Sequence, residues 1–273
     1  MSKMKDQLKI EEIHAICSIA RQAGDAIMAV YDTDFAANIK ADQSPVTEAD
    51  ILADEIIRRG LMKIFPDIPI ISEESGVDFF NNQRYDQFFL VDPLDGTKEF
   101  IKKNGEFTVN IAFIKDNRPC VGVVFAPALN VMYYASDELG AWKTTEYEVI
   151  PLKTDCSPTP NSVRVIASRS HSCMRLAGWL KNLPCEFEFL AAGSSLKFCR
   201  IAEGVADIYP RVQPTSQWDT AAAQCVLEAA GGTVLESTGA VLSYGLDRPL
   251  LNPSFVALGK LDYSLLFRNG FPE

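Results

Sequence analysis

The segment Asp92-Pro93-Leu94-Asp95-Gly96-Thr97 sets two carboxylates three residues apart, where the apolar run Phe88 to Val91 stops. Pro93 blocks continuation of a strand ladder and Gly96 permits a turn of positive φ. The carboxylates of Asp92 and Asp95 and the carbonyl of Leu94 can then converge on one cation. The same residues also make an ordinary tight turn, and the motif alone does not choose between the two. Glu73-Glu74 follows the apolar stretch Ile68 to Ile71, where a strand ends. Adjacent carboxylates repel unless a counterion joins them, although a solvated acidic loop accounts for the pair equally well. Asp219, in Trp218-Asp219-Thr220-Ala221, precedes an Ala-rich helix closed by Gly231-Gly232 and reads as its N-cap, with an oxygen to spare for a metal. Thr47-Glu48-Ala49-Asp50 has the form of a capping box. Asp50, in the first turn, can also accept a proton from a hydroxyl such as that of Thr97 and so polarise a water. Each signal is ordinary by itself; together they describe a phosphoesterase using several Mg²⁺ ions better than unrelated turns and caps.

These side chains need a scaffold, and the chain can build one. Its 273 residues are 47% hydrophobic and 10% aromatic, enough to bury a sizeable core in one large domain or two joined lobes. A formal net charge of -10 leaves no positive field to hold a nucleic-acid polymer. Two histidines, His14 and His171, exclude a three-imidazole metal site, so metal chemistry rests on oxygen. The seven cysteines include no C-x-x-C pair and lie mostly in apolar stretches, as reduced core residues do. Residues 1–9 lack the apolar core of a secretory signal, and no transmembrane run occurs. The expectation is a cytoplasmic protein.

Apolar residues at helical spacing predict amphipathic helices over 13–31 and 49–64, joined by a polar loop or hairpin over 36–45. Strands are expected at 88–91, 107–113, 120–126 and 131–135, with turns at Asn117-Arg118-Pro119 and 127–130, giving an antiparallel meander with helices laid on it. A Pro, Ser and Thr-rich connector over 151–161 follows. Beyond it, strands at 163–167, 187–190 and 206–209 alternate with helices at 174–181, 195–203 and 220–230, an alternating α/β lobe. The boundary falls near residue 155, dividing a metal-binding lobe, 1–155, from an α/β lobe, 156–273, that completes the metal site and binds substrate.

The chain resembles the inositol monophosphatase superfamily in Asp92-Pro-Leu-Asp-Gly-Thr97, in Trp218-Asp219 leading into an Ala-rich helix, and in Glu73-Glu74-Ser75. Within it, Asp95-Gly-Thr-Lys-Glu-Phe-Ile101 followed by Asn104-Gly-Glu-Phe-Thr-Val-Asn-Ile-Ala112 looks like the bacterial 3′(2′),5′-bisphosphate nucleotidases of the CysQ type. Inositol monophosphatases usually carry Asn-Phe where this chain has Lys98-Glu99-Phe100. The likeness runs from about Thr47 to Asn252. It implies a layered α-β-α-β-α sandwich and Mg²⁺-dependent hydrolysis of adenosine 3′,5′-bisphosphate to AMP and phosphate, in sulfur assimilation and nucleotide recycling. It also implies two or three Mg²⁺ ions and sensitivity to Li⁺ at a labile metal position. By the same resemblance Glu73, Asp92, Asp95 and Asp219 are side-chain metal ligands and Leu94 gives its carbonyl. Glu73 and Thr97 position or activate the attacking water, Asp50 supports Thr97, and the amides of Gly96 and Thr97 contact the phosphate. Arg169, His171, Ser194, Ser195, Lys197 and Arg211 are candidates to hold ribose, base or 5′-phosphate, each with an ordinary alternative as a solvated charge or helix cap. A peripheral place on the cytoplasmic face of the inner membrane, suggested for related bacterial members, finds no basic amphipathic stretch here.

Other chemistries fit less well. Ser168, Ser170 and Ser172 flank His171, yet no G-x-S-x-G elbow occurs. Neither G-x-G-x-x-G after a strand nor G-K-S/T is present, which excludes the usual dinucleotide and P-loop sites. A broader inositol or sugar phosphatase and a non-catalytic acidic scaffold remain as alternatives. The sequence leaves preference among adenosine 3′,5′-bisphosphate, its 5′-phosphosulfate analogue and inositol phosphates open, as it does the choice of monomer or homodimer.

Overall fold

A computed structural model describes residues 7–35, 37–39, 45–75, 85–154, 162–168, 174–181 and 185–260. Helix α1 (Ile10–Tyr31) is followed by the short hairpin β1 (Ala37–Ile39) and β2 (Pro45–Thr47), then α2 (Glu48–Ile64). Next come β3 (Ile70–Ser72), β4 (Gln87–Asp95), α3 (Thr97–Ile101), β5 (Thr108–Lys115), β6 (Arg118–Ala126), β7 (Val131–Ser136), β8 (Gly140–Thr144) and β9 (Val149–Leu152). The rest is β10 (Ser162–Ala167), α4 (Met174–Lys181), β11 (Glu186–Ala191), α5 (Leu196–Ala202), β12 (Ile208–Arg211), α6 (Ala221–Ala229), β13 (Thr233–Glu236) and β14 (Phe255–Leu258).

The strands form a seven-stranded sheet in chain order β3 to β9 and a five-stranded sheet in the order β11-β10-β12-β14-β13. Because side chains alternate across a strand, Phe89, Val91, Ile111 and Val123 point to the face covered by α1 and α2. Phe88, Leu90, Ala112 and Val124 point to the opposite face, against α5 and α6. The same two helices pack on Tyr209, Phe255 and Ala257 of the second sheet, while Leu176, Trp179 and Leu180 of α4 close its outer face against Val163, Val165 and Ile208. The result is five layers, α-β-α-β-α. Sheets covered on both faces read as continuous apolar runs, which is why Phe88 to Val91 shows no alternation.

The two halves share the central layer. A Cβ on Gly122 of β6 would lie 2.2 Å from the carbonyl oxygen of Ala222 on α6, so only glycine admits so close a helix. The helical expectations hold to within a few residues; three details of the sheets differ. The first sheet is not wholly antiparallel, since β3 runs parallel to β4. The second is not a simple alternating sheet: β10 pairs in parallel with β11 and β12, but β14 is antiparallel to both β12 and β13. β13 follows α6 after a short turn and β14 follows an irregular stretch, and each is only four residues long, too short to carry a periodic signal. Third, β4 does not stop at Asp92-Pro93. It continues to Asp95, because a bulge in the pairing with β5 between Asp92 and Asp95 absorbs Pro93 and Leu94. The start of the expected connector is strand, with Pro151 in β9 at the sheet edge; residues 155–161 lie outside the described residues. Among the described residues, Cys199 and Cys225 are buried, Cys17, Cys120 and Cys185 are half-buried, and all are free thiols. No described helix is long and apolar enough to cross a membrane.

Candidate active site

Three chain segments meet at one end of the first sheet. β3 ends at Ser72 and delivers Glu73 in a single 3-10 turn. The bulged end of β4 delivers Asp92 and Asp95, and a 3-10 turn at Gln217–Asp219, just before α6, delivers Asp219. Carboxylate oxygens of Glu73, Asp92 and Asp219 all lie within 4.8 Å of one another. Asp92 is 2% exposed, and its Oδ1 accepts the backbone N–H of Leu94 at 3.1 Å.

Burial, followed by the charges of Glu73, Asp95 and Asp219, pushes the acid of Asp92 well above the usual carboxylate range. Asp219 is pushed up to about 8 by burial and by the charges of Asp95 and Glu73. A donor set of three close oxygen anions, two of them raised in this way, is the kind a hard divalent cation satisfies, and the residues present fit such an ion.

Asp219 is not the N-cap of α6; that position belongs to Thr220. Instead Asp219 Oδ2 accepts the N–H of Ser216 at 2.8 Å, so the carboxylate folds back over its own turn and faces the cluster. Trp218 is half-buried against the central core. Asp95 stands beside the three but outside their tight group. Its Oδ2 accepts the Ser195 N–H at 2.7 Å, lies 3.0 Å from Ser195 Oγ, and has Asn110 Nδ2 at 3.4 Å.

Asp50 completes the capping box read from the sequence: its Oδ2 accepts the N–H and the hydroxyl of Thr47, both at 2.7 Å. Its Oδ1 is 3.2 Å from Thr97 Oγ1, which also lies 3.3 Å from the carbonyl of Leu94. The expected link between Asp50 and Thr97 is therefore present. Gly96 has φ +93°, and a Cβ there would come within 3.2 Å of the Glu106 carbonyl. One helical turn beyond Asp50 stands Asp54, 8% exposed, whose Oδ1 accepts the hydroxyl of Ser72. That bond ties α2 to the residue that precedes Glu73.

Beside the acidic cluster a cleft runs into the second sheet, lined among others by Asp95, Glu99, Ser194, Lys197, Tyr209 and Arg211. Lys197 is 5% exposed, donates to the Ser194 carbonyl, and holds its ammonium 5.2 Å from the centre of the Tyr209 ring. Burial lowers its pKa to about 8, against the pull of Asp95. Ser194 has φ +43° and a buried hydroxyl with no hydrogen-bond partner among the described residues. Arg211 donates to the carbonyls of Gln213 and Pro214. Arg169 and His171 lie outside the described residues.

The sequence reading missed Asn110, Asp54 and Glu106. Asn110 sits in an apolar strand, Asp54 on a helix with other acids, and Glu106 in a polar turn. Only the contact of Glu106 Oε2 with the Gly193 N–H, 2.9 Å, marks the last as a tie between the halves.

The sequence matches the Inositol monophosphatase family over residues 9–263. The chain belongs to the inositol monophosphatase family. Among its relatives in the family is the 3′(2′),5′-bisphosphate nucleotidase CysQ of Salmonella typhimurium, 47% identical over 249 residues, covering 89% of this chain and 98% of that protein. The crystal structure of CysQ from Bacteroides thetaiotaomicron, described as a bacterial member of the family, superimposes with a TM-score of 0.78 at 34% identity, covering 92% and 98% of the two chains. An inositol monophosphatase of Thermotoga maritima gives the same TM-score, 0.78, at 22% identity, covering 94% of this chain and 95% of that one, and shares the fold.

Proposed function

We propose that the protein is a Mg²⁺-dependent 3′(2′),5′-bisphosphate nucleotidase that hydrolyses adenosine 3′,5′-bisphosphate to AMP and phosphate, and acts also on the 5′-phosphosulfate analogue. The observation that carries this reading is the juxtaposition of the Glu73, Asp92 and Asp219 cluster with a cleft holding the buried Lys197 and Arg211. One end suits a metal-bridged phosphomonoester. The other suits a second anionic group at a distance from it. A simple sugar phosphate needs only the first.

In this reading Glu73, Asp92 and Asp219, joined by Asp95 and the Leu94 carbonyl, hold two or three Mg²⁺ ions. When bound, these supply positive charge for the phosphoryl oxygens and the departing 3′-oxygen, and acidify the attacking water. Thr97 directs its hydroxyl proton to Asp50 and so turns its lone pairs outward to accept a hydrogen bond from that water, fixing its orientation. Asp50 is held in place because Thr47 donates twice to its other oxygen. Glu73 accepts the water's proton as attack proceeds. The Gly96 and Thr97 amides contact the transferred phosphate. Ser194 offers its unpartnered hydroxyl, and Lys197 its ammonium, to the remote phosphate or ribose; Ser195, Arg211, Arg169 and His171 complete the nucleotide contacts. Lys197 has been stripped of water by burial, so an arriving anion recovers interaction that the solvent no longer supplies. In the same reading residues 1–155 form the metal-holding lobe and residues 156–273 the lobe that grips the nucleotide.

The test is a substrate panel. Remote binding energy helps to orient the scissile phosphate, so a substrate without the nucleoside and 5′-phosphate loses kcat as well as affinity. Adenosine 3′,5′-bisphosphate should exceed inositol 1-phosphate in kcat/KM by at least about a hundredfold, or roughly 2.7 kcal/mol. Lys197→Ala should shrink that ratio while slow turnover of the inositol phosphate stays nearly unchanged. Equal specificity constants for the two substrates would reject the nucleotidase and leave a broad sugar phosphatase.

A further inference from the structure

The β4–β5 ladder places Asn110 directly opposite Asp92. Asn110 is 1% exposed; its Nδ2 donates to Ser195 Oγ at 2.9 Å and lies 3.4 Å from Asp95 Oδ2. Its carbonyl oxygen is buried and has no hydrogen-bond partner among the described residues. A side chain selected only to fill space in a strand has no need of an amide that leaves one buried oxygen unpaired. The donor end is what the site uses.

Ser195 connects that donor to two carboxylate-bearing segments. Its hydroxyl lies 3.0 Å from Asp95 Oδ2 and 2.7 Å from the backbone carbonyl of Asp219. A hydroxyl has one proton to give. The Asn110 amide points its own N–H at the serine oxygen, so that proton is directed away from Asn110, toward Asp95 or the Asp219 carbonyl. The Ser195 backbone N–H meanwhile holds the same oxygen of Asp95 at 2.7 Å. Each of these donors falls on Oδ2, and none of them on Oδ1.

We propose that Asn110 is a positioning residue: acting through Ser195, it fixes Asp95 and the Asp219 turn for Mg²⁺ binding, and so makes the metal site of the first sheet depend on the turn that opens α5. The proposal rests on the metal-dependent reading above, and its test separates the two.

Mg²⁺ is titrated into the substrate-free protein by calorimetry, with the Mg²⁺-induced rise in Tm as a second readout. The kcat and KM for adenosine 3′,5′-bisphosphate are measured at saturating Mg²⁺. Asn110→Leu, close in size but without a donor, should bind Mg²⁺ at least about tenfold more weakly, the scale for loss of a group that orients a metal ligand. KM at saturating Mg²⁺ should stay within about twofold, because the amide does not touch the nucleotide. Asn110→Ser, which keeps one donor, should recover part of the affinity and provides the comparison if the leucine disturbs folding. Ser195→Ala combined with Asn110→Leu should bind Mg²⁺ no more weakly than the worse single variant, since both break one relay. A folded Asn110→Leu protein with wild-type Mg²⁺ affinity would overturn the proposal, as would losses that simply multiply in the double variant. Absence of Mg²⁺ binding by the unaltered protein would instead overturn the metal-dependent reading itself.

Discussion

Two buried carboxylate sites on opposite edges of the central helical layer behave in contrary ways. At the end of α5, Glu203 accepts the Tyr133 hydroxyl at 2.6 Å and Lys143 at 2.9 Å on one oxygen, and Arg200 at 2.8 Å on the other. Burial alone would raise its pKa; those hydrogen bonds and the Arg200 charge reverse the effect and hold it below the ordinary value. Asp92 is buried more deeply, and apart from the Leu94 N–H the charges that act on it are those of Glu73, Asp95, Asp219 and Asp50, so it is raised. Under the proposed function this difference separates structure from catalysis. A carboxylate that serves the fold comes with cations from its own chain, whereas one that serves a ligand is left short of positive charge until the ligand supplies it.

The largest expected contrast is in a pair of neutralising substitutions. Asp92→Asn removes a ligand charge and should lower kcat/KM for the nucleotide by at least about a hundredfold. It should also raise the Tm of the chelated protein, since it relieves like-charge repulsion. Unchanged kinetics in a folded variant would reduce the motif to a turn.

Glu203→Gln should do the reverse. Breaking its ionic contacts should cost about 1–3 kcal/mol of stability, read as a lower denaturation midpoint, while kcat/KM falls less than about tenfold. A variant as stable as the wild type would show that the three partners merely offset its burial.

A smaller effect sharpens the comparison through pH. The raised acids of Asp92 and Asp219 bind protons in the folded protein that the unfolded chain has released. Their contribution to stability is therefore full below about pH 4 and is lost as pH rises through the folded value, about 8 for Asp219. The lowered acid of Glu203 has the opposite sign, adding stability above its ordinary value and losing it as pH falls through the folded one. Thermal melts of the chelated protein should thus decline from pH 6 to pH 9, and saturating Mg²⁺ should flatten that slope. Glu203→Gln should flatten only the acid arm. A chelated wild type whose Tm does not change between pH 6 and pH 9 would contradict the electrostatic account of the cluster.

How much of this was legible beforehand depended on whether the cause was local. The helices α1 and α2 follow from apolar spacing, and the capping box at Thr47 and Asp50 from a four-residue pattern. Both rest on interactions within a turn or two of the chain. Asp92, Asp95, Glu73 and Asp219 stood out because acids at strand ends and helix starts are conspicuous in sequence. The continuation of β4 through Pro93, the two closing antiparallel strands, and the place of Asp219 one residue before the cap were not legible. A partner from another part of the chain, β5 or β12, settled the first two; Asp219 is held by Ser216, only three residues away, in a turn of its own that was read as the start of α6.

The sequence by itself marked the acidic residues that are proposed to carry the chemistry and showed that the scaffold is helices on sheets, because residue type and short-range periodicity act within a few residues. Only the tertiary structure decided which acids share one small volume, that Asp95 is held apart from the other three by Ser195, and that Lys197 is sealed into the cleft beside them. It also brought Asn110, 85 residues away in sequence, against Ser195. Contacts of that kind depend on how two sheets close over one helical layer, and no pattern confined to a single element encodes the distance between them.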